Sequence, residues 1–210
     1  MLDEFREWVP LVKDTMLALA AVATAFVAIS GLRTWRRELA GKEHFTAAKE
    51  LVRSSHRIWR ECARLRLPLS PREQKVFSAE DVQNTTSAER WRIADWEAYS
   101  KRLDDFEKVS DEYHAALLSA RVLLGSKVYE AFLPFNYLII DLINIVNEYL
   151  DLLQPKDGAP LPDDPEVIET KKRISLRPGE DDELSRKITD AREDGEKALL
   201  PYLARSSIRD

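Results

Sequence analysis

Three histidines and a single cysteine are the side chains of this 210-residue chain best suited to metal or nucleophilic chemistry, and their spacing supports neither. Asp111-Glu112-Tyr113-His114 sets an acid three residues ahead of His114, the relation by which helical bundles hold two metal ions. Such a centre needs a second acid-x-x-His pair and two further inward carboxylates. The chain offers no second pair, so His114 reads as a structural or surface residue. His44 and His56 fall on different faces of one helix and cannot share a metal. Cys62 falls on an apolar face, where a thiol behaves as a small hydrophobe. A catalytic thiolate wants a histidine and an electropositive, partly open setting, and Arg60 and Arg64 face another way. Asp141 sits in the most apolar stretch and is expected to be half-buried, held by an Arg or Tyr of another helix. No second acid or nucleophile accompanies it, so a catalytic role is not expected. The chain has no Gly-rich phosphate loop, no Gly-x-Ser-x-Gly and no zinc spacing. The expectation is a non-enzymatic protein with no catalytic residue, no cofactor and no metal.

One patterned polar feature remains. Lys42, Lys49, Arg53, His56, Arg57, Arg60 and Arg64 fall within an arc of roughly 100° on one helix. The opposite side carries His44, Ala48, Leu51, Ser55, Ile58, Trp59 and Cys62. Lys42, Lys49, Arg53, Arg57, Arg60 and Arg64 therefore make a candidate anion-binding face, for inner-leaflet lipid, nucleotide or nucleic acid. The plainer reading is a solvated face, or one paired with Asp104, Asp105, Glu107 and Asp111 of the next helix. Few aromatics interleave with the basic residues and the rest of the domain is acidic, so nucleic acid is not an expected partner.

What positions that face is the stretch just before it. Thr15 to Leu32, TMLALAAVATAFVAISGL, carries no charged side chain. At ~1.5 Å per residue it is roughly 27 Å long, close to the ~30 Å hydrocarbon core of a bilayer. Trp8 and Trp35 flank it where amphipathic aromatics prefer to sit. A secretory leader is disfavoured, although Ala21-Val22-Ala23 and Ala23-Thr24-Ala25 resemble cleavage sites. The residues before the run (Asp3, Glu4, Arg6, Glu7) are acidic rather than basic, and the run is long for a leader. A buried helix of a soluble fold would show a polar stripe that is missing here. A transmembrane helix over 15–32 is the reading, with membrane lipid as its partner.

Charge sets the orientation. Residues 1–14 carry two basic and four acidic groups, residues 33–66 ten basic and four acidic, and residues 67–210 twenty basic and twenty-nine acidic. The positive excess directly after the span places residues 33–205 in the cytoplasm and residues 1–14 outside, as a short extracytoplasmic N-terminus. Ala20, Thr24 and Ala28 form a small-xxx-small row that can pair spans. The lone Cys62 rules out an intramolecular disulfide and fits a reducing compartment.

After the span the pattern is helical throughout, and an antiparallel cytoplasmic four-helix bundle follows as the fold: all-α, with helices over about 33–67, 87–125, 127–153 and 181–205, a short helix over about 165–175, and a tail at 206–210. Pro68 and Pro71 stop the first helix. Residues 68–86 read as a loop, with Ser70-Pro71-Arg72-Glu73 as a capping box opening a turn to about Phe77. The second helix opens on a box at Thr86 and Glu89. Its core positions are Trp96, Tyr99, Leu103, Phe106, Ser110, Tyr113, Leu117, Ala120 and Leu124, a heptad seam like that of a coiled coil. Gly125 ends it and Ser126 can cap the next, which buries Phe132, Phe135, Ile139, Leu142, Val146, Tyr149 and Leu153. Asn136, Asp141, Asn144 and Asn147 interrupt that helix, so it is not a second span. The junction at Gly125-Ser126 makes these two helices antiparallel neighbours. A Pro-rich acidic linker over 154–165 leads to the short helix, Arg177-Pro178-Gly179 makes a turn, and the last helix sets Leu184, Ile188, Ala191, Gly195, Ala198 and Tyr202 on one seam.

The run Gly31-Leu32-Arg33-Thr34-Trp35-Arg36-Arg37-Glu38-Leu39-Ala40-Gly41-Lys42, directly after a single span, resembles a group of uncharacterised bacterial single-span membrane proteins. These also end in a segment like Gly179-Glu180-Asp181-Asp182-Glu183-Leu184-Ser185-Arg186-Lys187 and a helix closing near Pro201-Tyr202-Leu203. The likeness covers both ends of the chain and leaves the middle loosely matched. It implies a bacterial inner-membrane protein with a helical cytoplasmic domain, and no activity. The functional expectation is a membrane-anchored interaction or scaffold protein with a protein partner or a second copy; the alternative is a tethered binder of an anionic ligand through residues 42–64.

Overall fold

The computed structural model describes residues 2–154, 161–176 and 182–204, with side chains from Thr15 onward apart from Ala18. Among these residues there are seven helices and no strand: α1 (Leu2–Arg66), α2 (Ala79–Asn84), α3 (Ser87–Leu124), α4 (Ser126–Leu153), α5 (Pro165–Ile174), α6 (Glu183–Lys197) and α7 (Leu200–Leu203). The turn expected at 177–179 and the tail at 206–210 lie outside the described residues. The chain divides into two compact units, residues 1–44 and 45–210.

The first unit is helical from Leu2 onward. Every described side chain from Thr15 to Leu32 is exposed, among them Met16, Leu19, Val22, Phe26 and Val27. The Thr24 hydroxyl donates to Ala20 O at 2.8 Å and that of Thr34 to Ser30 O at 3.1 Å. Both hydroxyls thus bond within the helix, as an apolar solvent would require. Two helices among the described residues are long and apolar enough to cross a membrane: α1 from Thr15, and α4. They differ in burial, since the apolar window of α1 is wholly exposed while α4 gives the second unit much of its core.

That core is built from α4 outward. Phe132, Phe135, Ile139, Leu142, Val146, Tyr149 and Leu153 of α4 are all buried, facing Tyr99, Leu103, Phe106, Tyr113, Leu117, Ala120 and Leu124 of α3. The two helices run antiparallel, because their contacts pair rising with falling numbers: Tyr99 with Tyr149, His114 with Asn136, Arg121 with Tyr129. Gly125 makes the reversal possible with φ +96°, a conformation that favours glycine. Gly125 is also the N-cap of α4, without a side-chain bond, so Ser126 does not cap it.

The seam of α3 departs from the heptad at its start. Trp96 is 38% exposed and Asp95 is buried in its place. At 3.6 residues per turn the stretch from Asp95 to Tyr113 makes about five whole turns, so Asp95 rather than Trp96 shares the inward face of Tyr113.

Residues 45–66 of α1 add Ala48, Leu51, Ser55, Ile58 and Cys62 to the core, with Trp59 packed against it. Arg57 pairs with Glu112 and Arg64 with Asp105, while Ser55 meets Glu196 and Trp59 meets Thr189. This part of α1 is therefore antiparallel to both α3 and α6.

Three boundaries differ from the sequence reading. One bond of the Ser70 box forms, Ser70 N donating to Glu73 Oε2 at 2.9 Å, and the turn it opens ends by Gln74 instead of about Phe77. A helix instead opens at Ala79, on a box made by Ser78 and Asp81. The last helix, expected over 181–205, ends at Lys197 and restarts as α7, with Pro201 in its first turn; residues 181 and 205 lie outside the described residues. Pro201 has no N–H with which to continue the ladder.

Candidate functional site

The basic face and the buried charges are the two polar systems that could carry function. On the second unit, Lys49, Arg53, Arg57, Arg60 and Arg64 are exposed along α1. Arg57 and Arg64 do not lie free: the first pairs with Glu112, the second with Asp105 at 3.8 Å and Glu61 at 3.3 Å. No described residue makes an ion pair with Lys49, Arg53 or Arg60. Lys42, in the first unit, is also exposed.

His56 leaves this face for α6. Its Nδ1 lies 3.0 Å from Nη1 of Arg192, which can only donate, so the ring accepts there. Its Nε2 is 3.4 Å from Glu196 Oε1. The Arg192 guanidinium stacks 4.7 Å from the Trp59 ring. His114 is likewise occupied, its Nε2 2.7 Å from Asn136 Oδ1 and its Nδ1 3.4 Å from Ser110 Oγ, and it joins α3 to α4. Among the described residues no group of three His, Cys, Asp or Glu side chains is placed to hold a metal.

The buried acid is not the one the sequence suggested. Asp141 is exposed, because α4 turns Leu142 and Val146 inward and Asp141 to the outside of the core. Asp95 of α3 is buried instead, accepting the Tyr149 hydroxyl at 2.7 Å and the ammonium of Lys171. Burial and the nearby Asp95 charge push the Tyr149 phenol well above its usual range, so it remains a donor. Sequence reasoning placed an Arg or Tyr beside a half-buried acid, and it put the acid on the wrong helix.

Two further buried cations were not anticipated. Arg102 of α3 grips Glu73 through two 2.8 Å bonds and donates to Leu67 O and Pro68 O. Arg66, 2% exposed, donates from Nε to Ile174 O at 3.1 Å, from Nη2 to Asp182 Oδ1 at 2.9 Å and from Nη1 to Ser185 Oγ at 2.6 Å. Arg66 ties the end of α1 to the end of α5 and the start of α6, and Arg102 ties α3 to the segment after α1, the geometry for which a planar five-donor group is suited. The available signal was weak: both arginines fall at apolar-face positions of their helices.

The Asp95, Arg66 and Arg102 clusters are ion pairs, and Ser110 Oγ lies 3.4 Å from His114 Nδ1, whose other ring nitrogen meets Asn136. Neither protein-family models, nor curated proteins, nor solved structures show a match to the chain.

Proposed function

We propose that the chain is a membrane-anchored helical interaction protein, with residues 15–32 crossing a bacterial inner membrane once and a cytoplasmic four-helix bundle formed by the second part of α1 with α3, α4 and α6. The supporting observation is the exposure of every described side chain of the uncharged run. Phe26 is 71% exposed, Val22 68% and Met16 64%. Apolar surface left in water forgoes about 25 cal/mol per Å², so a run of this length needs lipid. The ten basic groups of residues 33–66 set the orientation. The interaction role draws on Leu118 and Val122 of α3 and Tyr137 and Ile140 of α4, large apolar side chains that stay exposed on a helix pair.

Fractionation of cells expressing the full chain tests the anchor. It should sediment at high speed, resist an alkaline carbonate wash, and enter the supernatant only with detergent. A chain that stays in the supernatant without detergent overturns the reading. Crosslinking in native membranes tests the interaction role, and recovery of neither an oligomer nor a partner counts against it.

A second reading, binding of anionic lipid through α1, is favoured by Lys49, Arg53 and Arg60, which are exposed and engage no described acid. Reversal of Arg53, Arg57 and Arg60 to Glu should weaken binding of residues 33–210 to anionic vesicles. Unchanged binding to vesicles and to RNA removes it.

A further inference from the structure

Asp95, Tyr149, Trp91 and Lys171 come from three helices and meet at one point. Asp95 is 6% exposed in an otherwise apolar layer of the core. Its Oδ2 accepts the Tyr149 hydroxyl at 2.7 Å, and the same oxygen takes the ammonium of Lys171 from α5. That ammonium lies 5.3 Å from the centroid of the Trp91 ring and 5.9 Å from that of Tyr149. Both distances fall within the ~6 Å over which a ring face attracts a cation. Tyr99 meets Tyr149 edge to face at 5.2 Å and fixes that wall.

Each part selects for a different property of the guest. The carboxylate rewards positive charge and an N–H donor, whereas the two rings reward a compact cation and exclude a hydrated anion. The Lys171 side chain is still 36% exposed, so its aliphatic stem leads out to water. α5 has ten residues and buries only Val167, Thr170 and Ile174. A helix of that length does not hold itself in water, so α5 depends on contacts with its neighbours. Three polar contacts set its place: Arg173 pairs with Glu148 of α4, Ile174 O accepts from Arg66, and the Lys171 ammonium bonds Asp95 of α3.

We propose that Asp95, Tyr149 and Trp91 form a recognition site for a primary alkylammonium group, with Lys171 as its tethered occupant. A free alkylammonium ion of matching length then enters when the side chain at position 171 is shortened. The selectivity follows from the contacts: a quaternary ammonium keeps the ring attraction and loses the N–H bond to Asp95, and a neutral amide keeps an N–H donor but loses the charge that the carboxylate and the rings attract.

The test is chemical rescue of the full chain in non-ionic detergent. Thermal melting of Lys171→Ala is followed with n-butylammonium chloride, tetramethylammonium chloride or sodium chloride at equal ionic strength. Lys171→Ala should melt several degrees below the parent. The n-butylammonium ion should restore at least half of that loss in a saturable way. Tetramethylammonium and sodium should not, and neither should any salt in Asp95→Asn/Lys171→Ala. Equal recovery in all three salts, or none with n-butylammonium, overturns the proposal. Lys171→Met keeps the stem without the charge and decides the matter if the Ala variant does not fold. It should melt well below the parent, and a Met variant as stable as the parent also overturns the proposal.

Discussion

Gly195 of α6 lies against the ring of Phe132 of α4, so close that a Cβ added to it would stand 2.9 Å from Cδ1 and 3.0 Å from Cγ. Phe132 is fully buried and its ring has nowhere to retreat. Glycine in a helix costs about 1 kcal/mol relative to alanine, so this one is retained by the close approach of two helices. Gly195→Ala should gain that propensity and lose about 1–3 kcal/mol to overpacking, for a lower melting temperature overall. Gly41→Ala, with nothing within 4 Å of its added Cβ, should melt at or above the parent. Circular-dichroism melts of the pair check this, and a Gly195→Ala variant as stable as Gly41→Ala would show that α6 does not pack on α4 as described.

Arg66 joins the end of α1 to the last carbonyl of α5 and the N-cap of α6. A lysine at this position keeps the charge but offers one nitrogen where three are used. Arg66→Lys should destabilise by about 1–3 kcal/mol, the range for buried polar groups left without partners. Urea unfolding gives the number. A midpoint equal to the parent's would mean that Asp182 and Ser185 find other partners at no cost.

Much of this arrangement can be read from periodicity, because the inward positions of α3 and α4 recur every three or four residues and are apolar. Tyr99 to Leu124 and Phe132 to Leu153 follow from that spacing alone. The buried charges do not follow from it. Asp95, Arg66 and Arg102 occupy positions that a pattern of apolar residues marks as faults, and only the meeting of distant segments turns them into ion pairs. Asp141 shows the converse: its apolar stretch predicts a half-buried acid, and the rotation of α4 places it outside. α2 is not legible from periodicity because a six-residue helix has no period to show, although Ser78 and Asp81 spell its cap. The basic ridge is visible as a stripe, yet the partners of Arg57 and Arg64 on α3 depend on how two helices are paired.

Glu73 should make the fold sensitive to acid. The two hydrogen bonds from Arg102 lower its carboxyl from an ordinary 4.5 to about 2. A carboxylate depressed in the fold stabilises it fully above the unfolded value and gives that up as pH falls through the folded one. The contribution of Glu73 is therefore present at neutral pH and disappears between about 4.5 and 2. Asp182, held below the carboxylate range first by its bond from Arg66, adds a loss of the same sign. Glu73→Gln should melt below the parent at pH 7, with the gap narrowing as pH approaches 2. A gap independent of pH would place the effect in packing rather than in charge.

Cys62 reports whether α1 stays packed. Its side chain is 2% exposed, and burial pushes the thiol from 9.0 up to about 12, with the nearby Arg66 charge opposing that rise. Only the thiolate reacts with alkylating agents or aromatic disulfides. At pH 8 a thiol titrating near 12 is ionised in about one molecule in 10⁴, and the ionised fraction is still enclosed by the core. Labelling of the native chain at pH 8 should therefore proceed only as fast as residues 45–66 open, and should reach one thiol per chain in denaturant. Arg66→Lys loosens the end of the same helix, so it should raise the labelling rate. A native chain that labels at the rate of a free thiol would place Cys62 on the surface and remove the second part of α1 from the core.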